Sequence, residues 1–70
     1  SADTIQRVAL QQGLSVASQL VGEQFQIIAQ HQNYAVLANF LTQFAQMGVS
    51  LEKMELAKEG GQIKLTATVQ

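Results

Sequence analysis

QMGVSL, Gln46–Leu51, repeats the punctuation of QQGLSV, Gln11–Val16. Each stretch has a polar, helix-like lead, a glycine, an aliphatic residue, a serine and a second aliphatic residue. Upstream of the first glycine, Ile5, Val8, Ala9 and Gln12 fall at i, i+3, i+4 and i+7, one face of a helix. Asp3 suits its start, as N-cap or as a first-turn anion. Downstream, Leu14, Val16, Ser18 and Leu20 alternate as a strand should, and VGEQ, Val21–Gln24, supplies a turn. Phe25, Ile27 and Ala29 then alternate with Gln24, Gln26, Ile28 and Gln30, predicting a half-buried strand with an amide-rich outer face.

The second glycine sits in the same context. Before it, Leu37, Phe40, Leu41 and Phe44 form an inner helical stripe behind the candidate cap Asn33, with Tyr34 expected to pack across the helix start. After it, Val49, Leu51, Met54 and Leu56 suggest a strand whose alternation slips at Glu52 and Lys53, the sign of a bulge. KEGGQ, Lys58–Gln62, reads as a hairpin loop. In the last strand Ile63, Leu65, Ala67 and Val69 face in, while Lys64, Thr66, Thr68 and Gln70 face out. Gly13 and Gly48 therefore mark the same event: each closes a helix in the left-handed conformation and releases the chain into a β-hairpin. The order is helix, strand, strand, twice. With no proline and no low-complexity linker, residues 1–70 read as a single domain. The predicted class is α+β: a two-layer αββαββ sandwich with both helices on one sheet face and the other face open.

Composition narrows the function. A chain this short buries only about 60% of the surface its unfolded form exposes, so its core is marginal without support. It has no cysteine, which removes disulfides and thiolate zinc sites as that support. Charged residues make up 13% of the chain, well below the usual quarter or so, and glutamine supplies much of the polarity instead. Arg7, Lys53, Lys58 and Lys64 are scattered, whereas phosphate-backbone binding needs clustered cations, so nucleic acid is not an expected partner. No apolar run reaches the ~20 residues that span a bilayer, and no signal-peptide pattern is present. The start at Ser1, inside a predicted helix, reads as a domain excised from a longer chain.

No catalytic, cofactor or metal constellation emerges. His31, the single histidine, lacks the neighbours that a metal site or a nucleophile pair requires and reads as a strand-end surface residue. Glu52, Glu55 and Glu59 alternate with Lys53 and Lys58 as on a solvated edge strand, a common guard against edge pairing. Gly60 and Gly61 precede a strand, so they are not a phosphate loop. The more telling residues are apolar ones off the inner stripes. Leu10 lies about 140° round the first helix from Ile5 at ~100° per residue. Ala17, Val21 and Ile28 fall on the open sheet face or its edge, and Val36 and Met47 flank the second helical stripe. With a marginal core, these favour an association surface over an active site. The candidate partner interface is Leu10, Ser15, Ala17, Ser18 and Leu20, where the strand carries serines in place of the charges on the other edge.

NYAVLANFLTQFAQMGVSLEKMELAKEGGQIKLTATVQ, Asn33–Gln70, resembles the periplasmic C-terminal domain of the M component (GspM family) of the bacterial type II secretion inner-membrane platform. Family members there look like a helix with apolar spacing, a glycine followed by an alternating strand, a charged glycine-containing turn and a closing amphipathic strand. ALQQGLSVASQLVGEQFQIIAQ, Ala9–Gln30, is similar to the family's first half. The resemblance implies a circularly permuted ferredoxin-like sandwich with the second and fourth strands central and the first and third at the edges. It also implies a periplasmic domain carried by a single membrane span that lies N-terminal to it. The implied role is non-enzymatic scaffolding, by homodimerisation and by pairing with the similarly folded periplasmic domain of the L component. No catalytic, cofactor or metal residue carries over. The alignment protein of type IV pili is a sibling alternative. A small-ligand-binding or acylphosphatase-type ferredoxin-like domain is a more distant one, disfavoured because Arg7 lies within a helix and no phosphate-cradling loop precedes it.

Overall fold

Helix α1 (Ala2–Gln11) stops before Gly13, at φ +66°, and helix α2 (Tyr34–Gln46) before Gly48, at φ +76°, in the computed structural model, which describes residues 2–70. Both ends are Schellman caps: the Leu14 N–H donates to the Ala9 carbonyl and the Val49 N–H to the Phe44 carbonyl, each at 2.9 Å. The duplicated glycine thus performs one backbone operation twice. At the other end of α2, the Asn33 side chain accepts from the Ala35 N–H at 2.9 Å, which makes Asn33 the N-cap that the sequence indicates. Asp3 lies inside the first turn of α1 and so acts as a first-turn anion rather than as the cap.

Each helix feeds a hairpin: β1 (Ser15–Val21) and β2 (Gln24–His31), then β3 (Leu51–Glu59) and β4 (Gln62–Val69). The turns are two residues long, Gly22–Glu23 and Gly60–Gly61, which fixes the registers Val21↔Gln24 and Glu59↔Gln62. The sheet order is β1-β2-β4-β3, every neighbouring pair antiparallel. Moving the first strand of a ferredoxin-like βαββαβ chain to its end yields this element order and this strand order, so the fold is the permuted ferredoxin-like sandwich. Strands β2 and β3 run parallel with β4 between them, and α2 makes the crossover that such a pair requires.

Alternation within the strands decides the faces. Phe25, Ile27 and Ala29 on β2 pair with Val69, Ala67 and Leu65 on β4, and all lie on the helix side. Ile5, Val8 and Ala9 from α1 and Leu37, Phe40 and Phe44 from α2 close the core over them. The Phe40 and Phe44 rings are tilted, 4.4 Å apart between centroids, within the range of favourable aromatic pairs. The slip at Glu52–Lys53 is a bulge: pairing jumps from Glu52↔Thr68 to Glu55↔Thr66, and Lys53 takes φ +52°. Two expectations need correction. Tyr34 does not pack across the start of α2 but is exposed, because the chain arrives there along the surface from the end of β2. Thr68, predicted to face out, does lie on the open face but is buried, since its register neighbours on the two flanking strands are the long side chains Gln26 and Glu52.

Candidate interaction surface

The sheet has two free edges, and their sequences differ in kind. On β3 the edge carries Glu52, Lys53, Glu55, Lys58 and Glu59 together with the bulge. Charge and a bulge are both devices that discourage another strand from adding on. On β1 the edge reads SVASQLV, regular and without a charge.

Hairpin geometry sets which backbone groups of β1 point outward. Val21 and Gln24 flank a two-residue turn and form a hydrogen-bonded pair, after which hydrogen-bonded and non-hydrogen-bonded pairs alternate. The N–H and C=O groups of Val21, Gln19, Ala17 and Ser15 therefore face β2, and those of Leu20, Ser18 and Val16 face outward. The Gln6 side chain agrees with this phase, its Nε2 donating to the Val16 carbonyl at 3.1 Å from α1.

The predicted interface residues divide among three surfaces. Leu10 is on α1 and is 81% exposed. Ser15 and Ala17 are exposed on the open face, in register with Gln30 and Ile28. Ser18 and Leu20 lie on the helix side of the edge, opposite Ile27 and Phe25. Leu20 is 70% exposed even though its alternation is that of a core residue. The edge of β1 is what Ser15, Ala17, Ser18 and Leu20 share.

Sequence reading missed an apolar groove of about 210 Å³ between α2 and β3, lined by Leu41, Phe44, Ala45, Val49, Leu51 and Met54. It exists because β3 lies at the sheet edge, where α2 covers its inner side only in part. Met54 and Leu56 are consequently about half exposed. The signal available in the sequence was the charge on β3, which marks it as an edge strand.

Three polar contacts tie neighbouring segments together. His31 Nδ1 accepts from the Asn33 N–H at 2.9 Å, bracing the turn into α2. Glu59 and Lys64 pair across the second hairpin at 3.3 Å, and Gln70 Nε2 donates to Glu52 Oε1 at 3.0 Å. Among the described residues there is no group of three or more His, Cys, Asp or Glu side chains that could hold a metal ion, and no helix is long and apolar enough to cross a membrane. No family model matches the chain, and no curated protein is significantly similar to it.

Proposed function

We propose that this is a non-enzymatic assembly domain of the type II secretion inner-membrane platform, a periplasmic module that works by self-association and by pairing with the periplasmic domain of the L component. The observation that carries the reading is the permuted sandwich with strand order β1-β2-β4-β3, the layout that the resemblance of Asn33–Gln70 and Ala9–Gln30 to the GspM family implies. The unguarded β1 edge and the exposed Leu10 and Leu20 support association as the mode of action. An unpaired strand supplies main-chain hydrogen bonds to a partner strand, and exposed apolar side chains beside it supply the apolar contact.

A two-dimensional NMR titration of the isotopically labelled domain tests this, first by dilution and then against the L-component domain. Shifts confined to α1 and β1 in the second titration are expected. Absence of shifts with the L-component domain at concentrations up to about a millimolar, a bound on Kd, overturns the pairing.

A further inference from the structure

We infer that His31 and Asn33 together cap α2, and that the His31 half makes the start of this helix a proton-sensitive joint. The inference goes beyond the association reading and does not depend on it. A capping box has two halves. The cap side chain accepts from a backbone N–H of the first turn, and a Glu or Gln at the third helical position accepts in return from the cap's own N–H. Asn33 supplies the first half: its Oδ1 accepts from the Ala35 N–H at 2.9 Å, and its carbonyl accepts from the Val36 N–H at 3.2 Å. The third helical position is Val36, whose side chain has no acceptor. The Asn33 N–H is met instead from the strand side, where it donates to His31 Nδ1 at 2.9 Å. Half-buried at the end of β2, His31 thus takes the place of the missing Glu or Gln.

An imidazole accepts a hydrogen bond only while one of its nitrogens is bare. Acceptance at Nδ1 requires the neutral ring with its proton on Nε2. Once protonated, the ring turns an N–H toward the Asn33 N–H, and the contact is lost. The surroundings add to this loss. An imidazolium here stands at the positive end of the α2 dipole, and α2 has no acidic residue in its first turn to offset it. On the sheet, β1 carries no charge. From β4 comes Lys64, paired with Glu59 at 3.3 Å, and from β3 comes Lys58, opposite Ile63, the register partner of His31. These three charges are together net positive. On α1, Arg7 is at mid-helix and Asp3 is in the first turn, away from the end that enters β1 beside Gln30. Tyr34 adjoins the cap with a phenol that is uncharged at neutral pH. The sign follows. The folded cap holds the neutral ring while the unfolded chain takes up a proton freely, so the cap's contribution is lost as the ring is protonated. Leu37, the next residue of α2 and fully buried, carries that loss to the core.

An NMR titration of the isotopically labelled chain from about pH 7.5 to about pH 5.5 tests this, a window that lies between the ordinary carboxylate and phenol ranges. The chain has a single histidine, so its ring protons report protonation without ambiguity, and the Asn33 amide reports the contact. The Asn33 amide proton is expected to move upfield with the same midpoint as the ring. Exchange of the Ala35 and Val36 amides, corrected for the intrinsic pH dependence of exchange, should accelerate about fivefold or more, the equivalent of one lost hydrogen bond. His31→Asn separates protonation from every other effect of pH. Its Oδ1 replaces Nδ1 and accepts at any pH, so the variant should match the wild type at the upper pH and show no acceleration at the lower. His31→Ala has no acceptor and should exchange fast at both. An Asn33 amide that ignores the titration of the ring, or equal acceleration in the wild type and His31→Asn, overturns the inference. Should His31→Asn fail to fold, the wild-type titration decides, because ring and amides are read in the same molecule.

Discussion

Lys53 holds φ +52° at the bulge of β3, the left-handed region where a side chain crowds the following carbonyl. For an L-residue that conformation costs about 1–2 kcal/mol, and a glycine placed there would lose about 0.5–1 kcal/mol of conformational entropy on folding. The side chain is exposed, so the difference is nearly all backbone. Lys53→Gly is expected to stabilise the domain by about 0.5–1 kcal/mol, raising the thermal midpoint by about 2–8 °C for a domain of this size. Gly48 gives the opposite sign. A Cβ there meets no atom within 4 Å, yet φ is +76°. Gly48→Ala should cost about 1 kcal/mol through the backbone alone, visible as a lower urea midpoint with an unchanged slope. Positions of this kind are the most legible part of the chain. Gly13, Asn33 and the slip at Glu52–Lys53 each announce a local backbone requirement in residue type, and local requirements do not depend on which elements later pack together. Tyr34 was misread because its environment is set by where β2 delivers the chain, which no local signal encodes.

Alternation predicts which side of a strand faces in, but not whether anything covers that side. β3 and β4 make the distinction sharp. Leu56 and Leu65 are register partners on the same face, yet Leu65 is fully buried under the helices and Leu56 is 49% exposed. The reason is placement: Leu65 lies on the central strand β4 under the helices, whereas Leu56 lies on the edge strand β3 beyond them. Leu56→Lys should therefore change stability by no more than about 0.5 kcal/mol, as exposed sites usually do. Leu65→Lys strands a charge in the core and should leave the domain unfolded, by circular dichroism, at 25 °C. The inner stripe of helix α2, Leu37, Phe40 and Phe44, carries the opposite expectation. Phe40→Ala removes a fully buried ring that contacts Phe44, a loss of about 3–5 kcal/mol. That equals the whole stability a domain of this length ordinarily holds. Element type and order were therefore readable from periodicity, and the duplicated helix–strand–strand unit fixed the sandwich. The α2–β3 groove was not readable in the same way, because it depends on how far two helices extend across a four-stranded sheet.

At the scale of the whole molecule the limit is size rather than packing. The Cα radius of gyration is 11.2 Å, and a compact chain of this length is expected near 11 Å. The domain is therefore as tight as its length permits, and any support beyond its own core has to come from outside it. The self-association proposed above would be such support, and mass action makes it measurable without knowing the interface. A dimer that unfolds to monomers gains about 1.4 kcal/mol per tenfold rise in concentration, about 0.7 kcal/mol per chain. At roughly 4–8 °C per kcal/mol for a domain this small, the thermal midpoint should climb by about 3–6 °C per decade of concentration once the dimer is populated. Leu10→Arg separates this from intrinsic stability. Leu10 is 81% exposed near the C-terminal end of α1, so the arginine loses no packing and interacts favourably with the helix dipole there. At low concentration the variant should melt at or slightly above the wild type. If α1 is part of the self-association surface, the variant's midpoint should stay flat with concentration while that of the wild type rises. Parallel rises for both proteins would place Leu10 outside the interface and leave the β1 edge to act alone, whereas flat curves for both would mean that the fold is sustained entirely by its own small core.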